Sequence, residues 1–354
     1  MTTLVNRKFE MIAIPPKTFQ GEDLANWAPI LEMSGHLTMD HAPHSALAIE
    51  QREGGYLKKL VPNIDVMSDL ATVLVFQINL DRKLIATYLH RAHCEIKNGL
   101  KERGPSSPED LKSVIRGSKA VVFNGELVRD FHRKAYSILV ACHLADPIGF
   151  STNRVVSITS SGATSERFKM HLMRPRDRLV EVPLRKLPHR ALLDFLWARP
   201  TEIAGQPKSQ FMKGLSYVSQ TFRNLDNPLV VFMWSLASLE AMLSTTSDKA
   251  NSSALELRLR ALLDTENAEH IVGRFRELYK YRNAVFHGNV ALPFTFDERN
   301  LFGFSGIKHS NTAPYEIASF TYALALKVLQ RFFELGRYDV KYDVIIHTNG
   351  KPEY

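Results

Sequence analysis

The run from Pro228 to Leu243 is the longest apolar stretch in the chain, and Glu240 is the single charged residue within it. It is shorter than the roughly 20 residues that span a bilayer, so it is read as a helix that must be buried among other elements. Its surroundings supply them. Asn227-Pro228 opens this helix, which runs to about Ser244, and Ser252 or Ser253 caps a second that reaches Leu263. A third begins at Asn267 and continues to Phe286 or His287, where Gly288 stops it. After a polar loop, Ala291 to Ala313, a last helix is expected from about Pro314 to Gly336, with Ile317, Phe320, Ala323, Leu324, Val328 and Phe332 on one face. Four helices of this length suit a bundle. An all-α domain over residues 206–340 follows, with a tail at 341–354. Within 338–347 the alternation is that of a strand.

The first 200 residues have a different texture. Short β-rich runs such as Ala120-Val121-Val122-Phe123 and Arg154 to Thr159 alternate with helical stretches. The clearest helix is Gly125 to Ala145, where Leu127, Phe131, Ala135, Ile138, Leu139 and Cys142 recur at helical spacing before Asp146-Pro147 ends the run. Ser107-Pro108-Glu109-Asp110 is a second helix-start signal. These features specify an α+β domain over residues 1–205 and leave its task, sensing or RNA-positioning, unspecified. The polar segment between Arg199 and Gly214, with Pro200, Gly205 and Pro207, is read as the linker.

Composition narrows the classes. A formal charge of +8 and a pI near 9.3 permit attraction to polyanions without naming one. Cys94 and Cys142 are the two cysteines and form no C-x-x-C pair, which excludes a disulfide framework and a four-cysteine zinc site and fits a reducing cytoplasm. Met1 to Pro16 mixes Arg7, Lys8 and Glu10 among apolar residues, so no secretory signal and no membrane association are expected. No dinucleotide or Walker phosphate loop is present.

The densest chemistry lies in Tyr279-Lys280-Tyr281-Arg282-Asn283-Ala284-Val285-Phe286-His287-Gly288. Cleaving RNA without a metal needs a base for the 2′-hydroxyl proton, an acid for the 5′-oxygen and positive charge on the transition state. Histidine titrates near neutrality and serves as acid or base, while arginine stays charged and grips phosphate oxygens in a planar fork. At about 100° per residue, Asn283 and His287 stack on one face, whereas Arg282 and His287 diverge by roughly 140°. Asn283 is therefore placed to orient the imidazole. The arginine joins it only through a bent helix end or a second subunit, and two such helices across a two-fold axis would build one cleft. A bare Arg-x4-His string arises about once by chance in a chain of this composition, and a histidine at a helix C-terminus also complements the dipole.

This segment resembles the RNxxxH signature of HEPN domains, particularly the Apea-like branch. Trp234 to Leu243 is similar to that branch's glutamate-bearing helix, and Leu255 to Leu263 to its following arginine-bearing helix. The resemblance covers about a third of the chain, in three segments in the expected order. It implies a dimeric, metal-independent endoribonuclease of the kind found in bacterial antiviral defence (abortive infection), with a trigger of phage origin and tRNA or another structured RNA as target. Arg282 is then the phosphate clamp, His287 the general acid/base and Asn283 its orienting neighbour. Where one branch carries a tyrosine two residues after the histidine, this chain has Asn289, which argues against the toxin–antitoxin arrangement. Some HEPN domains have lost activity, so a non-catalytic module binding RNA, nucleotide or protein is the alternative. A third reading gives nucleic-acid binding to the N-terminal domain and dimerisation to the bundle.

Supporting residues follow from the same segments. Glu240, in an apolar helix, requires a cation from Arg282, Arg258 or Arg260, either to position the arginine or to hold the bundle together. Tyr279 and Tyr281 are two apart, so at most one faces a given cleft. Tyr281 is then available for stacking on RNA bases, while Tyr279 packs in the core with Phe275. Arg174, Arg176 and Arg178 align three cations on one face of an extended strand, suited either to an RNA backbone or to solvent. His36, Asp40, His41 and His44 lack a matching ligand pair and are read as ordinary loop residues, so no metal and no cofactor is expected.

Overall fold

The structure is a computed structural model that describes residues 8–14, 37–39, 42–53, 72–79, 133–147, 150–159, 162–172, 181–222, 227–244, 252–263, 266–287, 314–342, 345–346 and 352–353, with single positions between 90 and 98. The chain divides into two compact units, residues 1–142 with 150–170, and residues 143–149 with 171–354.

The described strands of the first unit are β1 (Lys8–Ile14), β2 (Leu37–Met39), β3 (Ala42–Glu53), β4 (Thr72–Asn79), β5 (Phe150–Thr159) and β6 (Gly162–Leu172). They form one sheet in the order β2-β3-β4-β1-β5-β6. β1 pairs antiparallel with both neighbours, Met11 standing opposite Phe76 of β4 and Ser157 of β5. β4 is dense in Val, Leu, Ile and Phe, residue types that fit a pleated surface. The run Arg154 to Thr159 lies in β5, and His44 lies on β3. Helix α1 occupies 133–145 and ends at Asp146-Pro147, with Ala135, Ile138, Leu139 and Cys142 buried. The expected strand at 120–123, the helix start at 107–110, the histidine cluster apart from His44, and Arg174, Arg176 and Arg178 all lie outside the described residues.

Between 189 and 334 the described residues of the second unit form an all-α bundle. It contains α2 (His189–Trp197), α3 (Pro200–Ala204), α4 (Gln210–Thr221), α5 (Pro228–Leu243), α6 (Ser252–Leu262), α7 (Ala268–Phe286) and α8 (Pro314–Glu334). The last four stand where periodicity and capping put them. The Asn227 side chain accepts from the Val230 amide at 3.2 Å, closing the start of α5. At the far end of α8, Gly336 takes φ +61°, and Arg337 and Gly336 donate their amides to Phe332 and Phe333, a Schellman stop.

The segment 199–214, read from the sequence as a linker, lies inside this unit. Pro200 occupies the first turn of α3, and α4 packs along α5. The Ser209 side chain makes no cap bond to α4. The opening amides are satisfied from elsewhere: Ser209 donates to Glu202 and Gln210 to Asp339, each at 2.8 Å, and Phe211 donates to the Tyr338 carbonyl at 2.9 Å. Tyr338 to Tyr342, expected as part of a strand, is instead the irregular segment that closes this helix end. The short pairing of Ile345–Ile346 with Pro352–Glu353 comes later.

The burial of two helices differs from the pattern expected of them. α8 is buried on every side from Ile317 to Gln330, Lys327 and Gln330 included, rather than on one face. Gln330 explains part of this: its amide donates to the carbonyls of Leu144 at 2.7 Å and Arg185 at 2.8 Å, seating both segments against α8. α5, apolar almost throughout, keeps Val230, Met233, Trp234, Ala237 and Glu240 only half-buried. Its buried side, with Val231, Phe232, Leu236, Leu239 and Leu243, faces α4 and α8. α4 approaches closely because Gly214 has no side chain: Ser238 Oγ donates to the Gly214 carbonyl at 2.8 Å, and a Cβ there would stand 2.4 Å from Met242 Cγ.

Candidate functional site

α7 carries the site because its sequence places apolar residues on one side and charges on the other. Ile271, Val272, Phe275, Leu278, Tyr279 and Tyr281 are buried, while Arg276, Glu277, Lys280 and His287 are exposed. The backbone turn extends to His287, whose amide donates to the Asn283 carbonyl at 3.0 Å.

Arg282 points toward α5. Its Nη2 meets Glu240 Oε2 at 3.1 Å, and its Nη1 donates to Asn283 Oδ1 at 3.0 Å. The other oxygen of Glu240 accepts the Tyr279 hydroxyl at 2.6 Å, and the guanidinium lies 5.6 Å from the Tyr279 ring centroid, within cation–π range. Burial, reinforced by the bond to Glu240, pushes the Tyr279 phenol up to about 12. It therefore stays a donor at neutral pH. Arg282 and Glu240 keep 26% and 21% of their side chains exposed, so the pair is open to competition from a ligand anion without being fully solvated.

The three arginines considered for Glu240 separate cleanly. Arg258 donates to the Leu243 carbonyl at 2.9 Å and lies over the Tyr342 ring, closing the end of α5. Arg260 pairs with Glu269 at 2.7 Å. Arg282 alone of the three reaches Glu240. Tyr281, expected to be available for stacking, is buried in this bundle with its ring 6.0 Å from Phe232. The Asn283 oxygen accepts from Arg282, and the described contact between Asn283 and His287 runs through the backbone.

Tyr279 is the site residue that sequence reasoning gave to the core alone. Its ring does pack against Phe275, with centroids 5.7 Å apart, yet its hydroxyl also anchors Glu240. The signal was its spacing, three residues before Arg282, which lets both side chains reach one carboxylate on a neighbouring helix.

Chemically, the arrangement holds a permanent cation in place and leaves an imidazole in solvent about one turn farther along. Among the described residues no cluster of histidine, cysteine, aspartate and glutamate is arranged to hold a metal, and no helix is long and apolar enough to cross a membrane. Comparison with protein-family models, curated proteins and solved structures finds no match to this chain.

Proposed function

We propose that the bundle is a HEPN-type domain acting as a metal-independent endoribonuclease, with His287 as general acid/base and Arg282 as the cation that stabilises the phosphorane-like transition state. The observation that supports this reading best is the anchoring of Arg282 by Glu240 and Asn283, with His287 exposed at the end of the same helix. Such anchoring pre-sets a charged fork, so less ordering is needed when a phosphate arrives. Arg282 and His287 leave α7 in different directions, and pairing of two copies about a two-fold axis would bring an arginine of one beside a histidine of the other.

Purified protein is expected to cleave structured RNA in EDTA, leaving 2′,3′-cyclic phosphate ends, and Arg282→Ala or His287→Ala to abolish it. Cleavage that persists in both variants overturns the assignment. A second reading, a module that binds RNA, a nucleotide or a protein without turnover, is favoured by the engagement of both Arg282 terminal nitrogens within the fold. Binding without cleavage under every activating condition selects it.

A further inference from the structure

The family resemblance implies Arg282 as the phosphate clamp, yet Arg282 is turned to α5 and leaves the His287 side of α7 without it. The described cations of α7 are otherwise mostly held by acids from outside the helix: Arg274 by Glu181, Arg276 by Glu256 at 2.6 Å and Arg282 by Glu240. Lys280 is the exception. It is exposed, and among the described residues no acid pairs with it, Glu277 three residues earlier included.

Its position matters. Lys280 precedes His287 by seven residues, which on an α-helix is about 20° of rotation and roughly 10.5 Å of rise. Asn283 lies on the same face between them. That face is open further back as well, because a side chain built at Gly273 would meet nothing within 4 Å. One side of α7 thus presents an ammonium with no acid partner among the described residues, an amide and an imidazole in line.

We infer that Lys280 is a phosphate-binding residue of this site, holding a phosphodiester of single-stranded RNA one or more positions away from the bond presented to His287. The inference rests on the ribonuclease reading for the role of His287, but the contact itself is electrostatic. The rise between the two residues is too long for both to hold one phosphate without bending toward each other, so Lys280 sets the path of the strand and not the chemistry. An ammonium on a flexible stem suits this role, since it tracks a backbone without reading bases.

The test measures binding of the full chain to a labelled 2′-O-methyl oligonucleotide, which lacks the nucleophile and is not turned over, across a series of KCl concentrations. Lys280→Ala is expected to weaken binding several-fold at low salt and to reduce the slope of log K against log salt by about 0.7, the value for one contact to a single strand. Lys280→Arg restores the slope, and Lys213→Ala, an exposed lysine on α4, leaves it unchanged. A Lys280→Ala slope equal to wild type, an equal change in Lys213→Ala, or no binding by wild type overturns the proposal. Parallel cleavage of unmodified RNA separates the two ideas. Turnover lost in His287→Ala with an unmoved Lys280→Ala slope sinks the lysine and keeps the nuclease, whereas a shifted slope without turnover in wild type does the reverse.

Discussion

Glu240 on α5 and Arg282 on α7 are 42 residues apart in sequence and 3.1 Å apart in the fold, and Tyr279 closes the same carboxylate from its other oxygen. The pair joins two helices at the point where α7 delivers His287 to solvent. It therefore has a structural duty in the bundle. Both partners remain partly exposed, which places their mutual stabilisation between the small value of a surface pair and the large penalty for orphaning a buried charge.

Glu240→Gln is expected to lower the unfolding free energy by about 1–3 kcal/mol, and Arg282→Met by a similar amount. A double-mutant cycle followed by urea unfolding should return a coupling of about 0.5–3 kcal/mol. Additive losses would mean that the two side chains do not interact in solution. Tyr279→Phe keeps the ring against Phe275 and removes only the hydroxyl, so it isolates the contribution of the bond to Glu240, about 1–2 kcal/mol.

Gly214→Ala tests the close approach of α4 to α5. Alanine gains about 1 kcal/mol in helix propensity, but its Cβ would lie 2.4 Å from Met242 Cγ, which is not the free tip of the side chain. Overpacking of this kind costs about 1–3 kcal/mol. We expect a net loss in thermal unfolding, and a cost for Gly214→Ala with Met242→Ala smaller than the sum of the two single changes. A rise in melting temperature for Gly214→Ala alone would refute the tight crossing.

Glu202 makes the start of α4 sensitive to acid. Burial pushes its carboxyl up, but hydrogen bonds from the amides of Ser209 and Lys208 and the Ser209 hydroxyl, with Arg199 nearby, outweigh it and hold the group below the ordinary glutamate range. A depressed folded-state pKa adds stability that is fully present above the unfolded value of about 4.3 and is lost as pH falls through the folded one. Wild type should therefore lose stability faster than Glu202→Gln on acidification below about pH 4.5. Parallel acid limbs for the two proteins in a melting series would rule out this role.

Helices α5 to α8 were legible because the information is local. Asn227-Pro228 starts a helix through its own side chain and ring, Gly336 stops one through its own φ, and apolar residues at helical spacing mark what lies between. The same locality hid α4. Pro200, Gly205 and Pro207 carry turn signals, and the amides at the head of α4 are satisfied by Glu202 and by Tyr338 and Asp339, which arrive from the far end of the chain.

For the candidate site, the sequence determined the residue types, their order on α7 and the angular divergence of Arg282 from His287, all consequences of covalent spacing and helical pitch. Tertiary structure decided which of three arginines meets Glu240, that Tyr279 completes that contact, that Tyr281 is buried, and that Lys280 has no acid partner among the described residues. Those outcomes depend on how neighbouring helices pack, and no periodicity within one helix encodes the partner that another presents to it.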